Sequence, residues 1–128
     1  MDLLIDTHVL IWLTEGDDRG ERIVGPFMDQ DAVTISVSIA SYLEVAIKHS
    51  IGKLAASVEE VRSCVRGAGM LKLPITANHA EIFATLPPHH CDPFDRLLIV
   101  QALADDLTIA TVDPTFLAYD GLRLIGVS

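Results

Sequence analysis

The chain lacks several features that would assign it quickly. No apolar run approaches the roughly 18 residues that a membrane-spanning helix needs. The opening residues, MDLLID, carry no basic region before their apolar stretch, so they do not read as a secretory signal. Only two cysteines occur, Cys64 and Cys91. They give no disulfide framework and no recognisable catalytic context, and a reducing cytoplasm is the expected compartment. Basic residues are scarce, with 9 Lys and Arg against 18 Asp and Glu and a net charge of -9. That balance argues against a nucleic-acid surface held by bulk charge. It suits a plain soluble protein, or one whose missing positive charge arrives with a metal ion or a basic partner segment. There is no glycine-rich phosphate loop of the Walker or dinucleotide type and no G-x-S-x-G elbow.

What is present is a hydrophobic chain of one-domain length. Half of its 128 residues are hydrophobic, which excludes disorder over most of the chain and predicts a single domain over residues 1–128. Short apolar runs alternate with helix-like segments. Leu3-Leu4-Ile5 reads as a buried strand, and Thr7 is placed to cap a helix through Leu13. Gly16-Asp17-Asp18 reads as a turn, and a helix is expected from Glu21 to Gln30, interrupted by Pro26. Ala32 to Val37 is a β-branched, alternating strand. Ser38 or Ser41 opens an amphipathic helix to about Ser50, with Gly52 as its stop. Ser57 and Glu60 form a capping box for a helix to Arg66. Met70 to Leu73 is a short strand, Thr76 starts a helix ending near Leu86, and Asp92-Pro93 starts another through Leu103. Leu107 to Thr111 and Leu122 to Ile125 complete the strands. The alternation predicts an α/β fold with a parallel sheet covered on both faces.

Such a fold places its chemistry outside the carboxyl ends of the strands, and two of four candidate acids fall there directly. Asp6 and Asp113 each follow a predicted strand. Asp6 could cap the first helix, but an acid directly after a buried apolar run is costly unless something uses it. Val112-Asp113-Pro114 could equally be an ordinary turn with Asp113 capping the short helix that follows. Asp95 falls in the first turn of its helix, behind the cap Asp92. It either complements the helix dipole or points into the same cleft as Asp6. Glu44 either pairs in solvent with Lys48 at helical spacing or faces inward among small and apolar neighbours. His89-His90-Cys91-Asp92 holds zinc-ligand residue types without a second pair to support them. Trp12 reads as core.

Together these segments resemble the PIN-domain ribonucleases, and within them the VapC-like toxins of bacterial toxin–antitoxin pairs. Leu3-Leu4-Ile5-Asp6-Thr7-His8-Val9-Leu10-Ile11-Trp12 is similar to the family's first motif. Glu44 to His49, followed by Ile51-Gly52-Lys53-Leu54, is similar to the second. Asp92-Pro93-Phe94-Asp95-Arg96 is similar to the third, and Thr111-Val112-Asp113-Pro114 with Phe116 to the fourth. Leu73-Pro74-Ile75-Thr76 and the stretch from Leu86 to His90 match the usual spacers. The sequence departs from the pattern at Ser41-Tyr42-Leu43, where a tryptophan usually precedes the second-motif acid, and at Gly25-Pro26, inside a usually helical stretch.

The resemblance implies a three-layer α/β/α domain with a parallel sheet of about five strands. It implies that Asp6, Glu44, Asp95 and Asp113 are catalytic and hold Mg²⁺, or Mn²⁺, with Asp92 outside the quartet. It further implies an RNA substrate, a homodimer and a cognate VapB-like antitoxin. Thr7 and Thr111 are candidates for supporting the carboxylates, and Lys48 and Arg96 for contacting phosphate or pairing with Glu44 and Asp95. Two rivals stand beside this reading. One is a catalytically weak PIN-like module acting only through its partner. The other is a receiver-type phosphoacceptor domain, which would normally carry adjacent acids after its first strand, where Asp6 stands alone.

Overall fold

The computed structural model describes residues 1–89 and 92–127. Five short strands form one sheet: β1 (Asp2–Ile5), β2 (Thr34–Ser38), β3 (Leu71–Leu73), β4 (Thr108–Ala110) and β5 (Arg123–Ile125). Their order is β3-β2-β1-β4-β5, and every pairing is parallel. That order differs from the 2-1-3-4-5 order of receiver-type domains, which removes the receiver reading. The chain reverses its direction of travel across the sheet between β1 and β4, which makes the gap between their carboxyl ends a topological switch point.

β1 is central, and its side chains alternate between the two faces. Leu3 and Ile5 enter one core with Val9 and Leu10 of helix α1 (Thr7–Glu15), Val24 of α2 (Asp18–Met28), Val45 of α3 (Ile39–Ser50) and Val61 of α4 (Val58–Gly67). Leu4 enters the other core, with Leu98, Ile99 and Ala102 of α6 (Pro93–Asp105); Ile82 and Phe83 of α5 (Ala77–Phe83) pack against it. Four helices therefore cover one face and two the other, giving the expected three layers. Truncating Leu3, Leu4, Ile5, Leu10, Leu98 or Ile99, all fully buried, to Ala would cost about 2–5 kcal/mol, so the rim they support is rigidly placed.

The start signals are mostly where the sequence puts them. Ser38 and not Ser41 caps α3, and Ser57 and Glu60 make the reciprocal capping box. Two expectations need correction. Asp6, not Thr7, is the N-cap of α1, accepting from the Val9 N–H at 2.8 Å. Helix α2 starts at Asp18, capped by Asp17, and continues past Pro26 to Met28. Pro26 lies in the last turn, where its missing N–H removes one hydrogen bond without breaking the helix. Among the described residues, no helix is long and apolar enough to cross a membrane.

Candidate active site

The switch point gathers acids from four different elements. Asp6 leaves β1, and its backbone N–H donates to Ala110 of β4 at 3.0 Å. Its side chain is buried. One carboxylate oxygen accepts from the Val9 N–H and the other from the Thr111 hydroxyl, which follows β4. Burial pushes the Asp6 carboxyl above its ordinary range, against the pull of those two hydrogen bonds. Thr111 is itself fixed: its N–H donates to Ile125 of β5, and its hydroxyl accepts from the Asp113 N–H. Gly126 makes this possible. Its φ is +95°, and a Cβ there would stand 2.4 Å from the Thr111 carbonyl oxygen, so the approach of β5 to Thr111 admits only glycine.

Glu44 lies in α3 and is buried to 2 % exposure. One carboxylate oxygen accepts from the Lys48 ammonium at 2.7 Å, and the other, Oε1, is buried with no partner among the described residues. The inward-facing alternative for Glu44 therefore holds and the solvated one does not: the pairing with Lys48 is made from a buried carboxylate. Ser41, three residues earlier on the same helix face, exchanges a 2.9 Å hydrogen bond with the buried Thr7 hydroxyl and ties α3 to α1. Read locally, Ser41 offers only a helix cap, and this supporting role is not apparent. Its spacing from Glu44 and Lys48, one helical stripe, is the signal that points to it.

Asp95 lies in the first turn of α6, half-buried, behind the N-cap Asp92, whose carboxylate accepts from the Phe94 and Asp95 N–H groups. Its carboxyl is pushed up to about 7, first by burial and then by the charges of Asp92, Glu44, Asp6 and Asp113. Those neighbours place all four candidate acids within one electrostatic neighbourhood. Lys48 feels the same set: its ammonium is held above its ordinary range, first by Glu44, with smaller contributions from Asp92 and Asp95. Asp113 caps the short 3-10 helix Pro114–Ala118, accepting from Thr115 at 2.9 Å.

The remaining candidates separate. Arg96 does not pair with Asp95. Its guanidinium donates to the Leu86 carbonyl at 3.2 Å and lies over the Phe83 ring at 4.8 Å, so it ties α6 to α5. Trp12 is partly buried beside the first core, with the Arg19 guanidinium 4.4 Å from its ring centre. Of the zinc-type run, positions 90 and 91 lie outside the described residues. His89 packs edge-on against Tyr119, and Asp92 is the helix cap.

As placed, no three His, Cys, Asp or Glu side chains among the described residues stand close enough together to hold a metal ion. The residues nevertheless fit a hard divalent cation. The donors are all carboxylate oxygens, the chemistry Mg²⁺ and Mn²⁺ select. The buried Oε1 of Glu44 is an acceptor without a donor among the described residues, and the raised pKa of Asp95, due first to burial, includes a repulsion from the neighbouring carboxylates that a cation would relieve.

Fold and site define a class, the parallel α/β domains with an acidic cluster at the switch point. Within that class the PIN domain model matches residues 3–122, and the chain belongs to the PIN-domain family. Among solved structures, it is similar to a chain of VapBC2 from Rickettsia felis bound to a promoter DNA fragment, with 16% identity, 97% of each chain covered and a TM-score of 0.69. It is also similar to a chain of VapBC-1 from nontypeable Haemophilus influenzae, with 18% identity, 97% and 96% covered and a TM-score of 0.70. A third is a chain of VapBC-5 from Mycobacterium tuberculosis, a member of the VapBC family of toxin–antitoxin systems, with 18% identity, 98% of each chain covered and a TM-score of 0.62. No curated protein matches the chain significantly.

Proposed function

We propose that this chain is a Mg²⁺- or Mn²⁺-dependent endoribonuclease and the toxin of a toxin–antitoxin pair. The carrying observation is the shared acidic neighbourhood of Asp6, Glu44, Asp95 and Asp113, with a carboxyl near neutrality and an orphaned buried oxygen inside it. These four side chains would hold the ion. Bound there, it would polarise a phosphodiester and lower the pKa of a water for in-line attack. The chain's own groups set the geometry. Thr111 and the α1 N-terminus lock the Asp6 carboxylate, and Lys48 locks one oxygen of Glu44 while leaving Oε1 free to face the ion. The Thr7–Ser41 contact keeps α1 and α3, and so Asp6 and Glu44, in register.

The similar folds occur in structures of VapBC complexes, which supports a VapB-like antitoxin as partner. An acidic cleft suits an inhibitor that brings cationic side chains. A homodimer is supported by α3, where Ile39, Leu43 and Ile47, four residues apart, are 38%, 51% and 43% exposed on one face. The expected site of action is the cytoplasm, where an RNA substrate and a cognate antitoxin would meet the chain. The catalytically weak binding module draws support from no residue, since all four acids are retained.

The deciding experiment compares wild type with Asp6→Asn. The wild-type protein should cleave RNA in Mg²⁺ and gain melting temperature with Mn²⁺. The variant should keep its fold and lose both. Wild-type cleavage rates in Asp6→Asn would overturn the reading.

A further inference from the structure

The chain's few cations are not spread evenly. Arg62 and Arg66 stand one helical turn apart on α4, and Lys72 lies on the edge strand β3. With Tyr42 of α3, Val65, Met70 and Leu71 they line an open hollow of about 280 Å³. A second hollow of about 400 Å³ shares Arg62 and Arg66 and continues along α4 past Ser63 to Val58 and Glu59. Three of the nine Lys and Arg residues of an acidic chain thus border one groove, whose lining includes a single acid, Glu59.

None of Arg62, Arg66 and Lys72 forms an ion pair or hydrogen bond among the described residues. Tyr42 is 9 % exposed, and its hydroxyl is buried without a partner among them. A buried phenol that neither donates nor accepts costs free energy unless a ligand completes it. Burial raises the Tyr42 pKa, while the Arg62 charge pulls it down, which places that guanidinium in the phenol's electrostatic neighbourhood. The lining therefore offers two guanidinium forks, one ammonium and one hydroxyl donor to an incoming anion, with the apolar faces of Val65, Met70 and Leu71 beneath. Guanidinium forks match phosphate oxygens two at a time. The hollow is open to solvent. Its continuation along α4 suits an extended strand better than a compact metabolite.

We propose that this groove binds backbone phosphates of single-stranded RNA away from the scissile bond, with Arg62, Arg66, Lys72 and the Tyr42 hydroxyl as donors. The proposal rests on the ribonuclease reading for its choice of nucleic acid. It also answers the net charge of -9: local positive charge on this face supplies what the whole chain lacks.

The test is fluorescence polarisation with a short labelled single-stranded RNA, in EDTA so that no cleavage occurs, on wild type, Arg62→Gln/Arg66→Gln and Tyr42→Phe. The double variant should bind about tenfold or more weakly, with its salt slope lowered by roughly 0.7 for each phosphate that is no longer neutralised. Tyr42→Phe should weaken binding by several-fold and keep the melting temperature. Inorganic phosphate should compete with RNA on wild type, and far less on the double variant. Equal RNA affinity and salt slope in wild type and double variant would overturn the proposal, as would failure of wild type to bind RNA. A double variant that no longer binds antitoxin but binds RNA normally would overturn it too, assigning the groove to a protein partner. A wild type that binds RNA through these residues but never cleaves it in Mg²⁺ would leave the groove standing and overturn the ribonuclease reading alone.

Discussion

The Thr111 hydroxyl donates to the carboxylate of Asp6, joining the ends of β4 and β1 across 105 residues of sequence. Both residues are buried, so the bond fixes which way the Asp6 carboxylate faces. Thr111→Val keeps the shape and removes the donor. Groups that orient metal-binding carboxylates are worth about 10–100-fold in affinity or activity. We expect that loss in Mn²⁺ affinity and in RNA cleavage, with a stability cost of about 1–3 kcal/mol for the orphaned oxygen. Isothermal titration with Mn²⁺ and denaturant unfolding check the two parts.

Lys48 supplies the positive charge that Glu44 faces while no metal is bound. Lys48→Met leaves a buried carboxylate unpaired. The Lys48 side chain is 38% exposed and its attraction is screened, so the expected cost is about 1–3 kcal/mol and not the full value of a buried pair. Saturating Mn²⁺ should restore most of that stability in a thermal melt. If it restores none, Glu44 does not face the metal.

The Asp95 carboxyl predicts a pH dependence of the metal-free protein. Its pKa rises from an ordinary 3.8 to about 7 on folding. The unfolded chain therefore ionises it more readily. The stability Asp95 contributes is complete below about 3.8, falls as pH rises to about 7 and is level above that. Asp95→Asn should be more stable than wild type above about 7, and the gap should shrink as pH falls toward 3.8. Denaturant unfolding across that window, in EDTA, measures the difference. A constant gap would show that burial and the neighbouring carboxylates do not raise the Asp95 pKa on folding.

The exposed face of α3 predicts an assembly. Leu43→Glu/Ile47→Glu should convert a dimer to a monomer by light scattering without lowering the melting temperature of the isolated fold, since both side chains are already in solvent. A wild type that is monomeric at all concentrations would remove the homodimer from the reading.

Ser57→Ala serves as the contrast. It breaks the α4 capping box and should cost about 1 kcal/mol. RNA cleavage at saturating Mg²⁺ should stay at the wild-type rate, because the cap lies on none of the elements that carry the acids.

Local chemistry is legible in the sequence wherever a residue's role depends on near neighbours. Ser57 with Glu60, Asp92 with Pro93 and Asp113 with Pro114 each announce a helix start, and each cap is where the spacing puts it. The β-branched and leucine-rich runs mark the five strands; the inner strands β1, β2 and β4 are buried over most of their length, while the edge strands β3 and β5 stay partly exposed. Thr7 reads as a cap because local sequence cannot show that its hydroxyl is claimed by Ser41, 34 residues away. Lys48 can be matched to Glu44 because their i, i+4 spacing is itself a geometric fact. Arg96 cannot be separated from Asp95, since its partners Leu86 and Phe83 come from outside its own helix.

By itself, then, the sequence determined the element types, most of their boundaries and four acids at candidate positions. Only the tertiary structure decided that these acids share one electrostatic neighbourhood, that Glu44 is buried with one oxygen open, and that Gly126 lets β5 reach Thr111. The physical reason is distance along the chain. Helix caps and strand patterns are set by neighbours within a few residues. Burial, desolvation and charge coupling are set by residues brought together through the parallel order β3-β2-β1-β4-β5, which no local pattern encodes.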